Sequence, residues 1–136
     1  MKPKWICDWA FASCSPVDTL HRQMEKQPAP EHSPEQMNVH TLFRKAFRLE
    51  SLPSEAKVFI TADDFYKLYI NGQFVGQGPA PAYPFRHPYN TYDVTPFLKQ
   101  GKNAICVHVF YYGVINRVTN SADFRQGLWA ELTVDG

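Results

Sequence analysis

Two adjacent carboxylates, Asp63 and Asp64, are the first residues of this sequence whose type and position suggest chemistry. Hydrolysis by a carboxyl pair requires both groups to flank the bond that is cleaved, about 5 to 9 Å apart. Neighbouring residues of a strand point to opposite faces of a sheet, so we do not expect this pair to converge on one substrate. A β-bulge, a hydrogen bond to a turn, or one carboxylate lining a shallow polar site is the better interpretation.

Metal ligation and covalent catalysis find little support. His21 and His32 lie eleven positions apart without an acidic ligand pattern, and we interpret both as solvated histidines. A structural calcium ion held by Asp63 or Asp64 is a weak alternative, because no Asp-rich loop of the EF-hand type is present. The serines lack a Gly-x-Ser-x-Gly motif and the glycines lack the lysine of a phosphate loop. We therefore expect no cofactor.

Carbohydrate binding asks for a flat aromatic ring and for planar polar groups that bond neighbouring hydroxyls. Two loops carry such residues, and a β-sandwich would bring both loops to one end. The first offers Tyr83, Phe85, Arg86, His87 and Tyr89, and the second offers Asn116, Arg117, Asn120, Asp123 and Arg125. Our candidate sugar-binding residues are Asp64, Arg86, Tyr89, Asn116, Arg117 and Asp123. The structural alternative is that the aromatic rings pack beneath the loops while Arg117 or Arg125 pairs with Asp64 or Asp123.

A predicted hairpin positions the first of these loops. Tyr66, Leu68 and Ile70 alternate with polar residues, and Asn71-Gly72 supplies the two positive φ angles of a type I′ turn. The second strand, residues 73–75, is expected to end where Gly76 and Gly78 release the backbone from strand geometry. Four prolines between residues 79 and 88 then stiffen an aromatic-rich loop.

The remaining pattern predicts an all-β protein. We expect strands at residues 4–7, with Trp5 or Ile6 buried, and at 41–49, 57–62, 90–94, 103–112 and 127–134. One short helical turn follows Thr95, and no amphipathic helix of three turns is present. This set favours a two-sheet antiparallel β-sandwich of the jelly-roll type, similar to galactose-binding domains and joined by long loops.

Length and composition narrow the function classes. A chain of 136 residues is expected to form a single domain over 1–136, within which residues 11–38 form a polar, Pro-rich excursion. Fourteen basic against thirteen acidic residues give no field for nucleic acid or for an anionic membrane. Three cysteines without C-x-x-C spacing and no apolar run of signal-peptide length point to the reducing cytoplasm.

A family resemblance covers residues 42–132. It is carried by Phe-Ile-Thr-Ala-Asp-Asp-Phe-Tyr-Lys-Leu-Tyr-Ile-Asn-Gly-Gln-Phe-Val-Gly at 59–76 and by Tyr-Asn-Thr-Tyr-Asp-Val-Thr-Pro-Phe-Leu-Lys-Gln-Gly-Lys-Asn-Ala-Ile-Cys-Val at 89–107. Its more specific parts are Gly-Pro-Ala-Pro at 78–81 and the loop at 116–127, which carries Asn-Arg at 116–117 and Asp-x-Arg-Gln-Gly at 123–127. The sequence resembles the N-terminal β-sandwich of bacterial α-L-rhamnosidases, while the Asn-Gly hairpin is also shared by other sugar-binding sandwiches.

The resemblance implies a part of a long hydrolase whose catalytic carboxylates reside in a separate (α/α)6 barrel. No catalytic residue transfers to this segment, so we expect a non-catalytic, sugar-binding accessory domain acting on rhamnosyl glycosides, with the barrel as its partner. Two alternatives remain open. The domain could dock on the barrel without binding sugar, or it could be a free-standing, lectin-like domain.

Overall fold

The computed structural model describes residues 3–17, 31–81, 86–114 and 123–136. Regular structure in these ranges consists of seven strands and three single 3-10 turns. The strands are β1 (Val39–Leu49), β2 (Ala56–Asp63), β3 (Phe65–Ile70), β4 (Gln73–Gly78), β5 (Asn90–Asp93), β6 (Gly101–Tyr111) and β7 (Gly127–Val134), and the turns are Trp9–Phe11, Pro34–Gln36 and Thr95–Phe97. The predicted all-β class is confirmed. Across the same ranges, no helix has the length and apolar character needed to cross a bilayer.

The strands form two antiparallel sheets, as the sequence predicted. One has four strands in the order β1-β6-β3-β4, and the other has three in the order β5-β2-β7. The chain passes from the smaller sheet to the larger between Asp63, the last residue of β2, and Phe65, the first of β3. Asp64 therefore occupies a corner between the sheets, and its peptide bond with Asp63 is cis.

The core lies between the facing sides of the two sheets. Along β3 its members alternate with less buried residues, because successive side chains of a strand point to opposite faces, whereas the end of β2 is buried on both faces. The buried set includes Val58, Ile60, Ala62, Tyr66, Leu68, Ile70, Val107, Val109 and Leu128. Burial of each large apolar side chain contributes about 1.5 to 3 kcal/mol, so this row supplies much of the stability of the sandwich.

The β3–β4 hairpin turns at Asn71 and Gly72, whose φ angles of 50° and 82° confirm the predicted type I′ turn. Asn71 also has a second role. Its Nδ2 donates to the Phe97 carbonyl at 2.9 Å and to Asn103 Oδ1 at 2.8 Å, while its Oδ1 accepts from the Ala104 amide at 3.0 Å. The side chain therefore ties the hairpin to the Thr95–Phe97 turn and to β6.

Gly76 and Gly78 do not end the second hairpin strand, and that prediction is wrong. Strand β4 continues to Gly78, with a register shift between Leu68 and Tyr69 on the facing strand. A Cβ atom at Gly76 would lie 2.4 Å from the ring of Tyr92. The glycine is therefore required by the close approach of a side chain from β5.

The N-terminal segment does not form the predicted strand at residues 4–7. It makes one isolated bridge, in which the Ile6 amide donates to the Leu128 carbonyl at 2.9 Å and the Leu128 amide donates to the Ile6 carbonyl at 2.8 Å. Trp5 and Ile6 are half exposed, so the prediction that one of them is buried is also wrong. The segment lies along the edge of the three-stranded sheet and covers the first residues of β7.

His32 is not a solvated residue, contrary to our prediction. Its ring stacks on Phe124 with 3.7 Å between ring centroids, and its Nε2 lies 2.8 Å from the Tyr111 hydroxyl. Burial lowers the pKa of His32, against the hydrogen bonds to Gln36 and Phe124 that raise it. Phe11 packs edge-on against Tyr111 in the same cluster, which anchors both ends of the polar excursion. His21 lies outside the described residues.

Candidate functional site

A cleft of about 320 Å³ lies where the N-terminal segment crosses the ends of β2 and β7. Asp63, the last residue of β2, pairs in register with Gly127, the first residue of β7, and this pairing places both strand ends at one edge. The lining consists of Trp5, Ile6, Cys7, Phe11, Ala12, Asp63, His87, Asp123, Arg125, Gln126 and Gly127. Four separate parts of the chain therefore meet there: the N-terminal segment, the end of β2, His87, and residues 123–127 at the start of β7.

Trp5 forms one wall of the cleft. Its indole lies over Gly127, where an added Cβ would come within 2.9 Å of the ring, so a larger residue would displace it. The same ring meets His87 edge-on, with 5.4 Å between the centroids. Because 49% of Trp5 is accessible, an aromatic face remains open to solvent at the mouth of the cleft.

His87 supplies a neutral polar group to the lining. Burial lowers the pKa of its imidazole, although the carboxylates of Asp123 and Asp64 act to raise it. The ring is therefore uncharged at neutral pH and carries one N–H donor and one acceptor nitrogen. Its Nδ1 is buried and has no hydrogen-bond partner within the described ranges.

Gln126 is the second buried polar group of the cleft, with only 1% of its surface accessible. Its Oε1 accepts from the Asp8 amide at 2.9 Å, which holds the N-terminal segment in place. Its Nε2 has no partner in the part of the chain that the structure describes. An unsatisfied buried donor costs about 1 to 3 kcal/mol, so a ligand that accepts from it would recover that free energy.

Asp123 and Arg125 form an ion pair at the rim. Arg125 Nε donates to Asp123 Oδ2 at 3.0 Å, and a terminal guanidinium nitrogen bonds the same oxygen. This hydrogen bond raises the pKa of Arg125. The pairing that we gave as the structural alternative is therefore present, yet both residues also line the cleft and present planar polar groups to it.

The candidate residues from the sequence are not brought together as one set. Asp123 lines the cleft. Asp64 accepts from the Tyr112 amide at 2.7 Å and holds the corner between the sheets, while Arg86 is exposed beside His87. Asn116 and Arg117, together with the loop residues Tyr83, Phe85 and Asn120, lie outside the described residues.

Tyr89 belongs to a different surface. Its ring lies 6.1 Å from Phe59 and 6.2 Å from Trp129, measured between centroids, on the outer face of the three-stranded sheet. Tyr89 is 59% accessible, so this aromatic cluster is open to solvent.

Sequence reasoning missed Trp5 and Gln126 as members of this site, whereas Asp63 is one of the two carboxylates for which the lining of a shallow polar site was an interpretation, and it does line the cleft. Trp5 was expected in the core, and its contact with Gly127 spans the whole length of the chain. The only local sequence signal for the site is the Gln126-Gly127 pair at the start of β7. This pair does not indicate that the N-terminal segment covers it. Within the described ranges, no cluster of three or more His, Cys, Asp or Glu side chains could hold a metal ion.

A comparison with protein-family models shows which family the chain belongs to. The family model described as the α-L-rhamnosidase N-terminal domain matches residues 51–134, which is more than half of the chain. The chain belongs to the α-L-rhamnosidase N-terminal domain family. Its matched region includes the corner at Asp64, the hairpin and both strands that end at the cleft. A comparison with curated proteins gave no match.

Solved α-L-rhamnosidases show the same domain fold. The GH78 family rhamnosidase of Bacillus sp. GL1 is 37% identical over 80% of this chain, with a TM-score of 0.67. The Aspergillus terreus α-L-rhamnosidase is 36% identical over 77%, with a TM-score of 0.64. The Streptomyces avermitilis enzyme, solved with L-rhamnose, is 31% identical over 71%, with a TM-score of 0.59. The aligned parts cover only 11%, 13% and 10% of those proteins, respectively. One of these relatives is fungal, so the family is not confined to bacteria.

Proposed function

We propose that this chain is a single, non-catalytic accessory domain of an α-L-rhamnosidase-like glycoside hydrolase, and that its cleft binds one sugar unit of a rhamnosyl glycoside. One observation carries the proposal. A half-exposed indole, Trp5, stands beside two buried side-chain nitrogens, His87 Nδ1 and Gln126 Nε2, that lack partners among the described residues. An apolar face next to unused hydrogen-bonding groups is the combination that a sugar ring satisfies.

The polar groups suit neighbouring hydroxyls. Gln126 Nε2 can donate to a hydroxyl oxygen, and the neutral His87 ring can donate to or accept from a second hydroxyl. The Asp123–Arg125 pair adds a carboxylate and a guanidinium at the rim, and charge-assisted hydrogen bonds to such groups are the stronger ones. A volume of about 320 Å³ lies at the lower end of the range for ligand pockets, which favours a single sugar unit.

The relatives support the enzyme context. Each of the three is several times longer than this chain, and the resemblance implies catalytic carboxylates in a separate barrel. We therefore assign hydrolysis to another part of a longer enzyme and sugar contact to this part. Cytoplasmic location stays a prediction, consistent with three free cysteines at positions 7, 14 and 106.

NMR titration of the 136-residue chain with L-rhamnose tests the proposal. The Trp5 indole N–H and the Gln126 side-chain amide should shift at millimolar sugar, while the amides of the Asn71-Gly72 turn should not. His87→Ala should weaken the response, and Arg48→Ala on the opposite sheet serves as the control. If rhamnose and rhamnosyl oligosaccharides leave the cleft resonances unchanged, sugar binding at this site is wrong.

The other predicted site residues are tested in the same titration. Arg86→Ala, Asp64→Asn and Tyr89→Ser, together with alanine at Asn116 and Arg117, show which of them contribute. A loss of rhamnose response in Arg86→Ala with a retained response in His87→Ala would move the site away from the cleft and onto the loop that the sequence indicated.

A docking function is the second candidate, and the cluster of Phe59, Tyr89 and Trp129 favours it. Aromatic rings exposed together on a sheet face commonly mark a protein contact. Under this function the chain would self-associate through that face when it is separated from a catalytic domain. Light scattering on the wild type and on Tyr89→Ser distinguishes the two functions, because sugar binding in the cleft does not require Tyr89.

A further inference from the structure

A second cavity, of about 520 Å³, lies on the other side of the sandwich. It opens on the outer face of the four-stranded sheet, where β4 ends in Gly78 and Pro79 follows. Its principal lining residues are His40, Phe65, Lys67, Pro79, His108 and Phe110. None of these belongs to the cleft described above or to the residues predicted from the sequence.

Strand register explains how these side chains meet. His40 on β1 and Phe65 on β3 are both paired with Phe110 on β6, so the three form one row across the sheet. His108 is two positions before Phe110 on the same face, and its partner on β3 is Lys67. The row of His40, Phe110 and Phe65 therefore lies directly beside His108 and Lys67.

The cavity is positive in character. His40 Nδ1 lies 2.9 Å from His108 Nε2, and Lys67 is the partner of His108 on the adjoining strand. No carboxylate belongs to the described part of the lining.

The rest of this sheet face also carries positively charged side chains. Arg44, Arg48 and Lys102 continue down β1 and β6 as exposed residues. None of the three is paired with a carboxylate within the ranges that the structure describes. Within the described residues, this sheet face therefore carries several exposed cations, although the chain is nearly neutral overall, and such a field attracts anions.

We propose that this cavity binds a small organic anion in which a carboxylate adjoins a flat apolar face. The Lys67 ammonium and the one N–H that the hydrogen-bonded His40–His108 pair leaves free would receive the carboxylate, because charge-assisted hydrogen bonds are the stronger ones. The rings of Phe65 and Phe110 would receive the apolar face. Both a sugar acid and an aromatic acid have this chemistry. The inference is independent of sugar binding in the cleft.

Binding is expected to strengthen as the pH falls. The titratable groups around His108 are His40 on β1 and Lys67 on β3, while Leu42 and Gln77 complete its row without charge. Burial lowers the pKa of His108, as do the charges of His40 and Lys67. A bound carboxylate would favour the imidazolium form of His108, so acidification that protonates His108 adds attraction for the anion.

NMR titration of the 136-residue chain with two anions and two matched neutral compounds tests the proposal. D-Glucuronate and benzoate should shift the amides of residues 40, 67 and 108, and D-glucose and benzamide should not. Lys67→Met should raise the dissociation constant of the anion about tenfold, in line with a lost charge-assisted bond. Lys102→Met changes the same residue type on the same face outside the lining, and should change the constant by about twofold at most.

Each outcome decides a part of the proposal. A response to glucuronate alone supports it and identifies a sugar acid, and a response to benzoate alone supports it and identifies an aromatic acid. Equal shifts with the neutral compounds would overturn the preference for an anion. Shifts that persist unchanged in Lys67→Met, or no shifts with either anion, would overturn the site. The rhamnose titration follows the resonances of Trp5 and Gln126 instead. The two experiments therefore distinguish a failure of anion binding in this cavity from a failure of sugar binding in the cleft.

Discussion

The Trp5 indole and the His87 imidazole meet edge to face, with 5.4 Å between ring centroids, although 82 positions separate them in the sequence. This contact joins the N-terminal segment to the end of the proline-rich loop. Trp5 also packs closely on Gly127, where an added Cβ would lie 2.9 Å from its ring, so two contacts position the indole in the lining of the cleft. The properties of the cleft therefore depend on a segment that lies outside the matched family region of residues 51–134.

Removal of the indole should weaken sugar binding without unfolding the chain. Trp5→Ala is expected to raise the dissociation constant for L-rhamnose about threefold to tenfold, since an aromatic contact contributes about 0.5 to 1.5 kcal/mol. Trp9→Ala is the matched control, because Trp9 is 88% exposed and does not line the cleft. Equal affinity in the two variants would exclude Trp5 from the site.

Gly72→Val should destabilise the hairpin turn by about 1 kcal/mol or more, since a β-branched residue does not adopt the positive φ of 82°. No atom lies within 4 Å of an added Cβ, so the cost comes from the backbone alone. Chemical denaturation measures it, with Gln73→Val at the adjacent exposed position as the control. An unchanged free energy of unfolding in Gly72→Val would contradict the turn.

Gly76→Ala should cost about 1 to 3 kcal/mol for a different reason, which is overpacking against the ring of Tyr92. A double-mutant cycle with Tyr92→Ala isolates this contact. In the Tyr92→Ala background, Gly76→Ala should have little effect on the free energy of unfolding. The same loss in both backgrounds would mean that the ring is not the obstacle.

Stability should decrease as the pH falls from 7.5 to 5.5. The pKa values of His32, His87 and His108 are all lowered in the folded chain, chiefly by burial. The unfolded chain therefore binds more protons below about pH 6.5, and the stabilisation present above that pH is lost as the pH falls towards the folded pKa values. Urea denaturation at the two pH values measures the difference.

His32→Gln provides the check on that pH dependence. Glutamine retains a hydrogen-bonding group near Tyr111 but does not titrate, so the variant should lose less stability on acidification than the wild type. Asp93 and Asp135, whose pKa values are lowered by hydrogen bonds, affect stability only at a lower pH. An identical pH profile in wild type and variant would assign the effect to other groups.

Much of the fold follows from local sequence. Strict alternation in β6 and β7 predicts which side chains enter the core, and Asn71-Gly72 predicts the turn, because both depend on near neighbours. The requirement for glycine at position 76 could not be predicted from local sequence. It arises from a tyrosine on another strand, which no local pattern contains.

The candidate site was less accessible to prediction for the same reason. Within the site, Trp5 acquires its surroundings from Gly127, roughly 120 positions away in the sequence, and outside the site His32 stacks on Phe124, roughly 90 positions away. Asp123 was predicted because its loop is rich in planar polar groups. Gln126 was not, since its importance comes from burial beneath the N-terminal segment.

At the corner formed by Asp64, residues that line the two cavities are only two positions apart in the sequence. Asp63 lines the cleft and Phe65 lines the positive cavity, while Asp64 between them accepts a hydrogen bond from the Tyr112 amide. Three consecutive residues thus connect the two sheets and both linings. A displacement of this corner would change both sites together. Thermodynamic reciprocity then requires that a ligand in one cavity alters affinity in the other by the same factor as the reverse.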